Sequence, residues 1–405
     1  MTRSTTSSTP TCRNKYYNGN QLSSDLDRDS DSASSSSNNV NNKWSRGNRH
    51  QHNGDMEARN GTIMCAWKVL FQMTRPTNIP GVIVLHLFGI LKALSCIQKS
   101  HCFTQTILHP SMIMTLFSIL LLSATSMLVN DYYDAKSGVD RCYLDAKKAA
   151  NAHPDGENEI REMEEKMPLA SGILPLTIVK RALNYLYAVL LLSSTALPGI
   201  PTRLTVMVSS MVTFYYTQFL KPATWWKNIS CAAVIAMTPV VSGFAVLSLY
   251  SSSTERVAIR TGSAGLTILV AASLFCAIMG REMVMDVLDC DADTNAGIKT
   301  VPVKYGRSIA SKIILGFWVS AGVLTCIGPF VENWEIFVGR SGGSGTTSMY
   351  MSSAMRRLVF ALVGGTWYVV RGLQICLSQG QNEALMTRSR EEAKTILFTM
   401  LAASV

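Results

Sequence analysis

The chain predicts an all-α, polytopic membrane bundle, and three observations carry that prediction. Of its 405 residues 47% are hydrophobic and only 16% are charged, where soluble domains carry about 25% charged residues. The mean hydropathy is positive, at +0.18. Apolar runs of the roughly 20 residues that cross a bilayer begin near Ile79, Ile107, Ile178, Leu204, Ile229, Leu266, Ile309 and Leu358, and a shorter one runs from Ala393 to Val405. About nine transmembrane helices are therefore expected.

Ahead of these runs, residues 1–60 are rich in Ser, Asn, Thr and Arg and include the tract Ser34 to Asn39. A segment without apolar runs has nothing to bury, so it is expected to be a disordered polar leader. Its Asp25, Asp27, Asp29 and Asp31 make it more acidic than a transit peptide, which leaves import into a plastid or mitochondrion open. Residues 61–405 form the membrane domain. Arg75-Pro76-Thr77-Asn78 opens the first span, with Pro76 suited to a helix start. A long polar loop, Ala135 to Pro175, follows the second span, and a second polar loop, Thr294 to Ser308, follows the sixth. The Gly-rich stretch Glu332 to Met355 reads as a connector.

The net charge of +10 does not indicate a nucleic-acid partner, because the basic residues are spread over loops and leader without an aromatic-interleaved patch. Membrane topology accounts for them. Lys and Arg concentrate on the side shared by the leader and the loops after the even-numbered helices, and the positive-inside rule makes that side cytosolic, stromal or matrix. The ten cysteines are scattered and form no CxxC pair, so they read as small packing residues rather than a disulfide or zinc framework. His86 in the first span is expected to be packed and hydrogen-bonded. No HExxH, GxSxG, P-loop or GxGxxG context occurs.

The chemistry is concentrated in two acidic patches at the ends of apolar runs. Asn130-Asp131-Tyr132-Tyr133-Asp134 closes the second span, and Asp286-Val287-Leu288-Asp289-Cys290-Asp291-Ala292-Asp293 closes the sixth. A carboxylate at membrane depth costs roughly 2.5 to 3.5 kcal/mol on insertion scales, so such clusters call for a compensating cation. Mg²⁺ suits oxygen donors and completes its shell with water and substrate phosphate oxygens. If the patches stay helical, Asp131 and Asp134 share one face, as do Asp286, Asp289 and Asp293. Asp291 lies off that face. Both patches fall on the positive side, so a diphosphate fits between them. The bland alternative is that these acids are surface charges paired with Lys136, Arg141, Arg281 or Lys299; matching positions in the two halves weigh against it.

Cations near a leaving diphosphate neutralise its charge. Lys136, Lys166, Lys221, Arg281, Lys299 and Lys304 are candidates, each also explicable as a topology determinant. Arg75 either snorkels to headgroups or faces the site. Tyr216 belongs to an aromatic belt or offers its π face to a developing carbocation.

The two patches resemble the signature pair of the UbiA superfamily of intramembrane prenyltransferases: NDxxD as Asn130, Asp131 and Asp134, and DxxDxxxD as Asp286, Asp289 and Asp293. Gly297-Ile298-Lys299-Thr300-Val301-Pro302-Val303 resembles the usual continuation. Arg75-Pro76, Pro168-Leu169-Ala170-Ser171-Gly172 and Tyr216 with Lys221 are further matches. The resemblance implies helices around a central cavity open sideways to lipid. It also implies Mg²⁺-dependent transfer of a polyprenyl group from an allylic prenyl diphosphate to an aromatic or other lipid-soluble acceptor, as in prenylquinone, tocopherol or chlorophyll-type biosynthesis. Asp131, Asp134, Asp286, Asp289 and Asp293 would then hold metal and carry catalysis, and Asn130, Arg75, Lys166, Tyr216, Lys221 and Lys299 would bind substrate. Lys166 stands where many members carry arginine, the loop after the second helix is longer than usual, and Asp291 is an extra acid. Two rival readings remain: a noncatalytic isoprenoid-binding member of the family, and an ion-coupled transporter, which would place its acids in mid-helix.

Overall fold

Nine long helices among the described residues organise the chain in a computed structural model: α1 (Ile79–Cys96), α2 (Pro110–Ser137), α3 (Leu176–Thr195), α4 (Ile200–Tyr215), α5 (Trp226–Tyr250), α6 (Arg256–Leu288), α7 (Arg307–Glu332), α8 (Thr347–Leu377) and α9 (Glu383–Ala402). The described residues are 66–97, 99–138, 140, 144, 160, 164, 167–215, 225–250, 256–332 and 347–402. The polar leader lies outside them, as do Lys166, Tyr216, Lys221, most of the charged loop before α3 and most of the connector before α8. The chain divides into Met1–Val69 and Leu70–Val405; all nine helices belong to the second unit.

Seven of the nine, all but α4 and α9, are long and apolar enough to cross a membrane. Together they make this an integral, multi-pass membrane protein. The expected count of nine spans is not reached on this measure. Helix α4 is described as far as Tyr215, and residues 216–224 lie outside the described residues. Helix α9 is long enough but begins with Glu383 and carries Arg388, Arg390, Glu391, Glu392 and Lys394. Tyr185 and Leu192 of α3 and Ile200, Leu204, Val208 and Met211 of α4 are exposed, a surface that suits lipid and is costly in water.

Local chemistry sets the helix ends. Pro110 opens α2, where its missing N–H is harmless, with the His109 ring accepting from the Ser111 amide at 3.3 Å. Gly138, at φ 77°, closes it in the left-handed conformation that suits glycine. The loop expected after the second acidic patch is instead two short helices, Cys290–Ala296 and Val301–Tyr305. Gly297 at φ 73° turns the chain between them, and Pro302 starts the second.

Helix α5 is the hub of the N-terminal half and packs on α1, α2 and α4; α6 packs on α7 and α9, and the α5–α6 contact joins the halves. At the α1–α5 crossing a Cβ on Gly89 would run into the Pro239 carbonyl, so only glycine allows that approach. Close by, His86 Nδ1 lies 2.8 Å from Ser242 Oγ, and Ser242 donates to the Thr238 carbonyl at 3.0 Å. His86 is thus packed and hydrogen-bonded, as expected. In the C-terminal half Trp318 of α7 is fully buried, donates from Nε1 to the Ala277 carbonyl at 3.3 Å, and fills the room left by Gly280. Tyr368 of α8 donates to the Ala393 carbonyl of α9 at 3.0 Å.

Candidate active site

The helix directions bring both acidic patches to one end of the bundle. Leu85 and Phe88 of α1 cluster with Ala232 and Ala236 of α5, while Ile90 and Leu94 cluster with Ala245 and Val246, so α1 and α5 run parallel. Helix α6 runs antiparallel to α5, because its last turn meets the first turn of α5. The C-terminal ends of α2 and α6 therefore share an end with the starts of α1 and α5.

At the first patch, Arg75 Nη2 lies 3.3 Å from Asp131 Oδ1, which ties the approach to α1 to the end of α2. Arg75 holds φ 51° and ψ 67°, the left-handed region that non-glycine residues seldom occupy and that often accompanies functional constraint. One turn along α2, Asn130 Nδ2 donates to Asp134 Oδ2 at 3.0 Å. The amide thus orients an acid without adding charge, as its spacing suggested.

At the second patch the acids differ, with Asp286 buried, Asp293 half-buried and Asp289 exposed. Asp286, 1% exposed, pairs with Lys227 Nζ at 3.2 Å through Oδ1 and accepts from Asn228 Nδ2 at 2.7 Å through Oδ2. Helix α6 stops at Leu288, and Asp289 sits in the break with φ −87° and ψ 2° before the short helix Cys290–Ala296. The expected single helical face is therefore bent at Asp289. The Asp289 and Asp293 amides still bond to the carbonyls four residues back, at 2.9 and 2.8 Å, so the three acids keep helical spacing across the bend. Asp293 Oδ2 accepts from the Thr300 hydroxyl at 3.1 Å. Burial first, then the Asp286 and Asp289 carboxylates, outweigh the Lys227 charge and the Thr300 hydroxyl and push the Asp293 pKa up to about 6. Asp291 points elsewhere, to Arg307 at 3.0 Å, and is 82% exposed, in line with its place off the face. Lys299 is exposed on the turn that follows.

Arg75 holds Asp131 at the end of α2, and Lys227 at the start of α5 holds Asp286 at the end of α6. Among the described residues the acids pair with Arg75, Lys227 and Arg307; Arg141, one of the alternative partners, lies outside the described residues. Lys227 and Asn228 went unnoticed in the sequence, where Trp225-Trp226-Lys227-Asn228 reads as an interfacial belt before a span. Only the end-to-end meeting of α5 and α6 reveals them.

The donor set suits a hard divalent cation. Every candidate ligand is a carboxylate or amide oxygen, the donors that Mg²⁺ prefers beside water and phosphate oxygens. Among the described residues no three His, Cys, Asp or Glu side chains converge into a metal-holding group.

The profile of the UbiA prenyltransferase family matches residues 102–359, and the chain belongs to that family. A digeranylgeranylglyceryl phosphate synthase of Thermococcus gammatolerans is 30% identical over 125 residues, which are 31% of this chain and 38% of that protein. The chain thus spans well under half the length of this curated relative. A solved structure of a digeranylgeranylglyceryl phosphate synthase in membranes superposes with a TM-score of 0.54 at 15% identity, over 84% of this chain and 97% of that one, a likeness of fold. A UbiA homologue from Archaeoglobus fulgidus bound to DMAPP and Mg²⁺ gives a TM-score of 0.46 at 15% identity, over 81% and 99% of the two chains.

Proposed function

We propose that this family member is a Mg²⁺-dependent prenyltransferase that moves a polyprenyl group from an allylic prenyl diphosphate to a lipid-soluble acceptor. One observation carries the reading: the NDxxD and DxxDxxxD acids lie at the same end of the bundle, the first paired with Arg75 ahead of α1 and the second with Lys227 of α5. Asp131, Asp134, Asp286, Asp289 and Asp293 would hold the metal, with Asn130 orienting Asp134. Bound there, Mg²⁺ neutralises diphosphate oxygens and makes diphosphate a better leaving group. Arg75 and Lys227 add positive charge to the same face, and Lys166, Tyr216, Lys221 and Lys299 are retained as substrate-binding candidates. The apolar helices beyond the acids would take the prenyl chain and keep water from the allylic cation.

Two acceptor classes follow from different observations. The motif and its Thr300-Val301-Pro302-Val303 continuation support an aromatic ring, as in prenylquinone, tocopherol or chlorophyll-type pathways. The relative's name supports a hydroxyl of a glycerol phosphate lipid. The Ser- and Arg-rich leader is the sole support for a plastid or mitochondrial membrane. Acids placed at helix ends rather than in mid-span weigh against the transporter reading, and the complete set of acids weighs against a noncatalytic binder.

The test is an assay of purified full-length protein in lipid nanodiscs with Mg²⁺, geranylgeranyl diphosphate and, in parallel, homogentisate, 4-hydroxybenzoate and geranylgeranylglyceryl phosphate, read by mass spectrometry. A prenylated product that vanishes on chelation of the metal is expected from one acceptor class. Diphosphate-independent ion flux with no product from any acceptor would replace this reading with the transporter.

A further inference from the structure

One acid in α6, Glu282, has no part in the chemistry above. Glu282 sits one turn before Asp286, about 6 Å deeper along the axis by helical rise, and inside the span Ile268–Leu288. Its spacing to Asp286, Asp289 and Asp293 is four, seven and eleven residues, which puts it on the same helix face. Its neighbour Arg281 donates from Nη1 to Glu282 Oε1 at 2.8 Å. Arg281 Nε is buried and has no hydrogen-bond partner among the described residues. Asp286, one turn on along the same face, meets Lys227 and Asn228 at the start of α5, so Glu282 is carried on the α5-facing side of α6, one turn deeper than the second patch. An ionisable residue at that depth is costly and marks a working site more often than a structural one.

We propose that Glu282 is the group that takes the proton from the acceptor, an inference that rests on the prenyl-transfer reading above. With the diphosphate held at the level of Asp286, the prenyl chain runs inward and its C1 meets the acceptor about one turn deeper, at the level of Glu282. In the step, the C1–O bond breaks and diphosphate leaves with the electron pair. A hydroxyl oxygen or ring carbon of the acceptor then supplies the pair that forms the new bond to C1. The proton on that oxygen or carbon passes to a Glu282 carboxylate oxygen, and from there to water at the membrane surface. Arg281 holds Oε1 and leaves Oε2 to receive it. An oxygen or ring carbon that has just bonded to a carbocation is a strong acid and readily loses its proton to a base positioned within reach.

The test separates proton removal from diphosphate loss. Full-length protein in nanodiscs is given Mg²⁺ and geranylgeranyl diphosphate with an oxygen isotope in the bridging position, and scrambling of the label reports C1–O cleavage without acceptor. Glu282→Gln is expected to bind the diphosphate and scramble the label as wild type does, while transfer falls by about 100-fold or more; Glu282→Asp is expected to recover part of the transfer. Unchanged transfer in Glu282→Gln overturns the proposal. So does a parallel loss of scrambling or of diphosphate binding, which would place the residue in cleavage or in folding, and so does a Glu282→Asp no better than Glu282→Gln. Wild-type protein that neither scrambles nor transfers overturns the prenyltransferase reading itself, a failure visible before any Glu282 variant is compared.

Discussion

The two acidic patches carry similar letters in very different surroundings. Asp131 is 24% exposed and its partner Arg75 is 54% exposed, so that pair works in a partly aqueous setting where an ion pair contributes roughly 0 to 1 kcal/mol. Asp286 is 1% exposed and fully engaged by Lys227 and Asn228, and removing one member of a buried pair strands the other in a place of low polarity. Asp131 can therefore adapt to a substrate, whereas Asp286 is the fixed anchor of the second patch. A site that binds and releases a charged group can use one fixed wall and one compliant wall, and the sequence motif alone does not say which is which.

The largest expected effect tests that division directly. Asp286→Ala should abolish prenyl transfer and also lower stability by about 3 kcal/mol, the scale for breaking a buried pair. Asp131→Ala should abolish transfer while changing stability by under about 1 kcal/mol. Radiolabelled prenyl transfer and thermal unfolding of the same nanodisc samples read both quantities. Equal stability losses in the two variants would erase the difference between the walls.

Next in size is Asn228→Ala. Its side chain is buried, donates to Asp286, and has an Oδ1 without a hydrogen-bond partner among the described residues. Groups that orient a metal ligand typically change metal affinity by about 10- to 100-fold when removed. Asn228→Ala should therefore raise the Mg²⁺ concentration needed for half-maximal transfer by at least about 10-fold, and calorimetric titration of metal should show the same loss. Arg75→Ala, on the compliant wall, is expected to weaken prenyl diphosphate binding while leaving the metal requirement in place. A shift in metal demand from Arg75→Ala rather than Asn228→Ala would reverse the assignment of the two walls.

Much of this was legible in the letters because hydrophobic runs and acid spacing are local properties. The starts of α1 to α5 and α7, the pairing of Asn130 with Asp134 and the exclusion of Asp291 all follow from spacing within one segment, whereas α6, α8 and α9 begin well before the expected Leu266, Leu358 and Ala393. What escaped was relational. Lys227 and Asn228 matter only because α5 and α6 meet end to end, Glu282 only because α6 continues the face of Asp286 inward, and Gly89 only because α1 crosses α5 at Pro239. The bend at Asp289 escaped for a different reason: residues 286–293 contain no glycine or proline to signal it, and the break is one residue with ψ near zero. The short helices Cys290–Ala296 and Val301–Tyr305 were hidden in a polar composition that usually means loop.

The smallest effect is the sharpest check on which acids face inward. Asp291 lies between Asp289 and Asp293 in sequence, so charge alone would give all three the same importance. Its carboxylate instead meets Arg307 at the start of α7 and remains 82% exposed, where a lone ion pair contributes little. Asp291→Ala should leave transfer within about twofold of wild type and stability within about 0.5 kcal/mol, the range of surface substitutions. Asp293→Ala, two residues on, should remove transfer, since its carboxylate is held by Thr300 and crowded by Asp286 and Asp289. Side-by-side turnover and metal-affinity measurements on the two variants decide the matter. Loss of metal affinity in Asp291→Ala would turn the second patch around its helix axis and remove Asp293 from the proposed ligand set.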